Sequence, residues 1–289
     1  MIHCRLAPAK INLFLHVGPL QADGYHPVCS LMVFANVGDE IRLSAADTLK
    51  FAVEGPFAGG LGGEGDNLVT RARDLFFGRY NPPASPFTLT LVKRLPIAAG
   101  LGGGSADAAA TLHLLAAQSG VDSADPGLKA IARSLGADVV ACLAGRAVIG
   151  EGRGDDLGPA PSMPPLDAVL VNPGVLSSTP AVYRAFDDAP TGPGADRPDL
   201  PEVINSANAA VALFAVLRND LEGPAIALEP RIGAALSVLA AQPETLLARM
   251  SGSGATSFAL TDSADAAAQM AGRLSAAHPG WWVRACRLG

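Results

Sequence analysis

The stretch LPIAAGLGGGSADAAATL, Leu95 to Leu112, decides how this chain is read. Four of the five residues from Gly100 to Gly104 are glycine, and an alanine-rich run follows at once. Successive glycines let backbone N–H groups turn toward an anion and let the anion come close. A helix starting near Ser105 would add the partial positive charge of its N-terminus, with Ser105 placed to cap it or to offer its hydroxyl to a phosphate or metal. The same residues also describe a flexible hinge ahead of a helix. Two familiar nucleotide templates do not fit. No Lys-Ser or Lys-Thr follows the glycines, as a Walker loop requires, and Ser105 stands where a dinucleotide fingerprint has its third glycine.

Working outward, FTLTLVK (87–93) alternates as a half-buried strand does, and it reads as antiparallel. DNLVTRARDLFFGRY (66–80) reads as a helix with Asp66 or Asn67 at its cap and Leu68, Ala72, Leu75 and Phe76 on one face. The helix after the glycines is expected to run to Gln118, with Gly120 as its stop. DPGLKAIARSL is a further helix, capped by Asp125, with Pro126 in its first turn and Gly136 as terminator. Upstream, residues 1–17, SLMVFANV and DEIRLSAA read as strands, and QADGYH (21–26) as a turn. Downstream, LDAVLVNPG gives a strand. Helices are expected around 202–217 and 222–241, then strands LLARMS and TSFALT, a helix in SADAAAQMAGRLSAA and a last strand in WWVRACRL. Residues 187–201 read as a surface loop. The Pro-rich segment GRGDDLGPAPSMPP (152–165) is the best boundary between two domains.

Composition limits the function. The 289 residues are 49% hydrophobic and 17% charged, which describes a globular chain of two ordinary domains or one large α/β unit. A net charge of -6 argues against a nucleic-acid partner. No apolar run reaches the roughly 18–20 residues of a membrane span, and no basic stretch leads an apolar one at the N-terminus, so the expected location is the cytoplasm. Cys4, Cys29, Cys142 and Cys286 are scattered without metal-site spacing and read as free thiols.

Three segments together resemble the GHMP kinases. PIAAGLGGGSADAAATL is similar to their P-x-x-x-G-L-G-G-G-S-S-x-A-A signature, AKINLFLHV (9–17) to their N-terminal strand motif, and MSGSGATSFAL (250–260) to their C-terminal glycine motif. PAKINLFLHV paired with ADGYH, and the segments GADV (136–139), STPAVY (178–183) and NDLE (219–222), resemble those members that act on a cytidyl-diphosphate small molecule. The resemblance covers nearly the whole chain.

It implies an α+β, two-domain GHMP kinase fold. An N-terminal β-rich α/β domain would span 1–155, an antiparallel-sheet α+β domain 166–289, and the active site the cleft between them. The implied activity moves the γ-phosphoryl of ATP, with Mg²⁺, to the 2-hydroxyl of cytidyl-diphospho-methylerythritol. Pro96, Ile97, Ala98, Ala99, Gly100, Leu101, Gly102, Gly103, Gly104, Ser105 and Ala106 would bind ATP, with Asn67 on the adenine side. Asp138 would be the general base, and Lys10 would hold it ionised and stabilise developing charge. Tyr25 and Tyr183 would sandwich the cytosine, His26 would meet its edge, and Asn12 and Thr179 would hold polar substrate groups. No residue is implied as a Mg²⁺ ligand, and oligomeric state is left open. Taken alone, Asp138 and Asn67 are helix caps, Lys10 a surface lysine, Tyr25-His26 a turn and Tyr183 a core aromatic.

The chain departs from the pattern at three places. Ala106 replaces the second serine, Asp107 follows where asparagine is common, and VVAC follows Asp138 in place of Pro-Phe-Phe. A carboxylate beside ATP phosphates is unfavourable unless it faces away or holds a metal. The rival functions are a GHMP kinase for another small alcohol, a non-catalytic nucleotide-binding protein and a decarboxylase relative.

Overall fold

The computed structural model describes residues 2–61, 67–82, 86–188, 192 and 194–289. The fold is α+β, and the chain gathers into two compact units. The first comprises Met1–Ala9, Gly38–Ile97 and Gly102–Gly145, and the second Lys10–Val37, Ala98–Leu101 and Arg146–Gly289. Two long strands, β1 (Ile2–Val17) and β2 (Val28–Ala45), pair with each other and run through both units. The sequence suggests two strands where β2 is continuous. Gly38 does not turn the chain there: a Cβ at that position would collide with the carbonyl of Ala7, so the glycine serves close strand approach.

In the first unit, β2 pairs antiparallel with β4 (Phe87–Val92), and β4 pairs parallel with β3 (Lys50–Glu54). The helices are α1 (Leu68–Tyr80), α2 (Gly103–Ser119), α3 (Pro126–Leu135) and α4 (Ala137–Ala144). Asn67 caps α1 through Val69 N–H, while Asp66 lies outside the described residues. Asp125 caps α3 through Gly127 N–H, and Gly120 ends α2 in the left-handed region. The start of α2 is a correction to the sequence expectation. Its N-cap is Gly102 with φ +61°, so Ser105 is the third helical residue and not the cap.

The alanines of α2 explain its place. Ala106, Ala108, Ala109 and Ala110 are buried along with Leu112, Leu114 and Leu115, so the helix is enclosed on nearly every side. Small side chains let α1, α3 and α4 pack closely around it.

The second unit contains a hairpin of β5 (Val148–Gly152) and β6 (Asp156–Pro159), whose turn and second strand fall in the Pro-rich segment, with β5 also pairing to β2. Its main sheet is antiparallel: β7 (Leu166–Asn172) lies between β10 (Trp282–Leu288) and β9 (Ser257–Thr261), and β8 (Leu247–Met250) pairs with β9. The helices are α5 (Thr179–Asp187), α6 (Ala207–Ala215), α7 (Glu222–Leu228), α8 (Pro230–Ala240) and α9 (Ala264–Ala277). The single helix expected over 222–241 is divided, because Pro230 lacks an N–H and holds Glu229 out of the α region. Helix α5 is not evident from the pattern, and α6 is shorter than the sequence suggests. Within the 187–201 segment, residues 189–191 and 193 lie outside the described residues. Val169, Val171, Ala235, Leu239, Ala259, Met270 and Leu274 form a core between the sheet, α8 and α9.

Among the described residues no helix is long and apolar enough to cross a membrane. None of the four cysteines is joined in a disulfide, and burial pushes Cys29 up to about 11 and Cys286 up to about 12.

Leu112 is fully buried at the centre of the first unit's helical layer. Leu112→Ala is expected to lower stability by roughly 2–5 kcal/mol, read as a shift in denaturant midpoint at unchanged slope.

Candidate active site

The central part of the glycine segment belongs to the second unit, and its carbonyls are all engaged there. Ala98 C=O accepts from Ser177 N–H at 3.1 Å, and Ala99 C=O from Thr256 N–H at 3.0 Å. Gly100 C=O accepts from the Ser251 hydroxyl at 3.1 Å, and Leu101 C=O from Lys10 N–H at 2.8 Å. With four successive carbonyls turned into the protein, the amide N–H groups of the same peptides are the ones left over. Gly100 is at φ +71°, and a Cβ there would collide with the Ser251 carbonyl and lie 2.8 Å from Gly254 N. No other residue fits.

Lys10 and Asn12 stand two apart on β1, on the same face of the strand, and both are buried. Asn12 N–H donates to Ser251 Oγ at 3.2 Å, and its Nδ2 donates to Ser30 Oγ at 2.7 Å. Its Oδ1 is buried without a partner. Asn219 supports the same loop by donating to the carbonyls of Met250 and Gly252, both at 2.8 Å. Thr179, at the start of α5, exchanges a hydrogen bond with Ser253 Oγ at 2.8 Å.

His26 is buried against Tyr183, with ring centroids 5.0 Å apart, and meets Phe186 edge-on at 5.7 Å. Its Nδ1 lies 3.0 Å from the Gly18 carbonyl, which only accepts, so Nδ1 carries hydrogen. Its Nε2 is 3.4 Å from Asp187 Oδ1. Tyr25 is half exposed, and the Arg153 guanidinium lies 3.7 Å from its ring centroid. Tyr183 therefore packs on His26, and Tyr25 carries Arg153.

In the first unit the start of α2 is the feature of interest. Gly102 makes no side-chain cap, so the N–H groups of Gly103, Gly104 and Ser105 have no acceptor within the helix. Helices α4, α5 and α7 likewise have no side-chain cap, whereas α1, α3, α6, α8 and α9 have one. Asp107, which the sequence leaves facing either way, is buried and turned inward. Its Oδ2 accepts from Lys93 Nζ at 2.7 Å, and Lys93 also donates to Asp39 Oδ2 at 2.6 Å. Asp39 Oδ1 accepts from the N–H groups of Arg94 and Leu95 at 2.6 and 2.8 Å. Asp138 is half-buried in the first turn of α4, one residue inside the helix and not at its cap, and the VVAC that follows is wholly buried. Pro96 and Ile97 complete the approach to the loop in this unit.

Ser251, Ser253, Asn219 and the Lys93 cluster are missed by sequence reasoning as site residues. The SGSGA segment signals the two serines as short polar side chains beside glycines, and NDLE signals Asn219. Nothing in the spacing of Asp39, Lys93 and Asp107 announces that they meet.

Two family models match the chain: the GHMP kinases N terminal domain over residues 67–146 and the GHMP kinases C terminal over residues 200–280. A 4-diphosphocytidyl-2-C-methyl-D-erythritol kinase of Caulobacter vibrioides is 54% identical over 98% of both chains. Its counterpart in Xanthobacter autotrophicus is 49% identical over 96% of both. A crystal structure of 4-(cytidine 5'-diphospho)-2C-methyl-D-erythritol kinase superposes with a TM-score of 0.79 at 34% identity, covering 99% of each chain. A homoserine kinase from Cytophaga hutchinsonii shares the fold at a TM-score of 0.67 and 18% identity, with 99% of this chain and 94% of that one covered.

Asp107 gives the first unit a measurable pH dependence. Burial, reinforced by the nearby Asp39 charge and opposed by Lys93, pushes its carboxyl from 3.8 up to about 8. A raised acid favours the folded state while protonated, and that contribution is lost as pH rises from about 4 to about 8. Asp107→Asn is therefore expected to gain stability relative to the wild type across that window and to keep the gain above it. Denaturant melts of both proteins at several pH values read the difference directly.

Proposed function

Because the chain belongs to the GHMP kinases, and within them to the 4-diphosphocytidyl-2-C-methyl-D-erythritol kinase family, we propose that it transfers the γ-phosphoryl group of ATP to the 2-hydroxyl of 4-diphosphocytidyl-2-C-methyl-D-erythritol, an isoprenoid precursor. The observation that carries the reading is the backbone of the glycine segment. Its carbonyls are bound from Ala98 to Leu101, and the helix that follows has no side-chain cap. Both features leave N–H donors for the β- and γ-phosphates. The ATP contacts run from Pro96 to Ala106, with Asn67 on the adenine side.

Phosphoryl transfer asks the protein mainly for positioning and for stabilisation of charge. Asp138 takes the proton of the attacking hydroxyl, and Lys10 stabilises the negative charge that develops. Asn12 Oδ1, buried and unpartnered, is suited to accept from a substrate hydroxyl. Tyr25 offers a base its face away from Arg153, which would give a guanidinium–tyrosine–cytosine stack. His26, Tyr183 and Thr179 line the same substrate side.

Mg²⁺ would enter with ATP. Among the described residues no group of three His, Cys, Asp or Glu side chains could hold a metal, so phosphate oxygens and water would supply most of its ligands. The proposed location is the cytoplasm, and the proposed halves of the enzyme are 1–155 and 166–289, each of which contains one family match.

ADP release should be rapid with the cytidyl substrate and near background with homoserine, mevalonate or galactose; comparable turnover of another alcohol would overturn the substrate assignment. Asp138→Ala should lower kcat by about 10²–10⁴-fold with ATP binding retained. Tyr25→Ala should weaken the cytidyl substrate by the ~1–3 kcal/mol of a stacked base and leave ATP unaffected. Equal losses for both ligands would remove Tyr25 from the base site.

A further inference from the structure

We propose that the buried Lys93–Asp39–Asp107 cluster is a clamp that sets the shape of the phosphate loop, and that these three side chains are positioning residues for ATP binding. The proposal rests on the reading of Pro96–Ala106 as the ATP cradle. The side chains of Lys93, Asp39 and Asp107 are 4%, 0% and 3% exposed, so none of them meets solvent or a ligand directly.

Their bonds fall at the two ends of the glycine segment. Lys93 directly follows β4, and Asp39 binds its ammonium together with the next two peptide N–H groups, Arg94 and Leu95. That fixes the direction in which the chain leaves the strand. Asp107, in the second turn of α2, binds the same ammonium and fixes where the helix begins. The start of α2 rests against the cluster: a Cβ on Gly103 would lie 3.1 Å from Lys93 Nζ and 3.5 Å from Asp39 Oδ2. Entry and exit of the loop are thus tied to one atom.

Stability alone is a poor reason for such a cluster. Apolar side chains of similar volume commonly stabilise a core as well or better than buried ions do. What charged, directional bonds add is geometry, and a misplacement of about 1 Å at a reacting group costs about 10²-fold. The clamp also answers how an aspartate is tolerated beside ATP: its carboxyl is committed to Lys93 and faces away from the phosphates.

The test pairs a variant that opens the clamp with one that keeps it. Asp107→Leu removes the bond to Lys93, whereas the amide oxygen of Asp107→Asn still accepts it. Calorimetric titration with a non-hydrolysable ATP analogue and steady-state kinetics should show ATP binding weakened at least about tenfold in Asp107→Leu. The KM of the acceptor alcohol should not move, and Asp107→Asn should bind ATP as the wild type does. If Asp107→Leu fails to fold, Asp107→Ser, too short to reach Lys93, provides the same contrast. Wild-type ATP affinity in the opened variant, or equal losses for both substrates, would overturn the clamp. Gly104→Val separates this from the cradle itself, since Gly104 is exposed and its nearest neighbour to a Cβ is Leu68 at 3.5 Å. ATP binding unchanged in Gly104→Val overturns the cradle and the clamp together. Binding weakened there but not in Asp107→Leu overturns the clamp alone.

Discussion

A backbone that is to hold an anion by its N–H groups must first dispose of its carbonyls. Every peptide carries both, and a carbonyl turned toward phosphate would repel it. Here the carbonyls from Ala98 to Leu101 are taken in turn by Ser177, Thr256, Ser251 and Lys10, which come from three distant parts of the chain. Each bond contributes about 1 kcal/mol net, yet together they fix four consecutive peptide planes. The glycine requirement follows from the same constraint. At Gly100 the chain is so close to the Ser251–Gly254 turn that no Cβ has room, and its φ is positive. Donors held in place this way need no rearrangement when charge arrives, which is the condition for strong electrostatic stabilisation.

In the first unit the start of α2 rests on a buried charge cluster. An ammonium next to a helix N-terminus opposes the helix dipole. Two acidic side chains accept from the ammonium, but they are not equivalent. Asp39 accepts from Lys93 and from two peptide N–H groups. Asp107 accepts from Lys93 alone and has a second oxygen without a partner. Asp107 is thus the member for which ionisation is costly, in keeping with a carboxyl raised to about 8. An asparagine would make the same bond without that cost. Ala106 beside it is buried and brings no hydroxyl that would need a partner.

The four strands of the second unit's main sheet, the helix caps at Asn67 and Asp125 and the stop at Gly120 were legible as local elements, because each depends on residues within a few positions, whereas the order of the strands was not. The failures have one physical type. Gly38 reads as a break until Ala7 is seen beside it, and the division of α7 from α8 depends on how strongly Pro230 constrains its predecessor. Lys10 reads as a surface lysine by composition and is buried, because β1 lies within the fold. Lys93, Asp39 and Asp107 meet through tertiary structure that no local pattern encodes. The candidate site was legible mainly as motifs; their mutual support was not.

Aromatic residues show the same limit on the substrate side. Flat side chains near a glycine turn suggest a stack, but which rings meet is a matter of three-dimensional placement. Tyr183 spends its face on His26, and Phe186 closes on the edge of that imidazole. The histidine is thereby held at three points, with Gly18 fixing the hydrogen on Nδ1. Tyr25 has only Arg153 across one face and keeps about half its surface exposed. A base seeking a partner gains most from the ring that is still open, and a guanidinium on the far face pre-orients that ring before the base arrives. On the proposed reading Tyr25 would offer the base its contact area, while Tyr183 packs on the His26 ring.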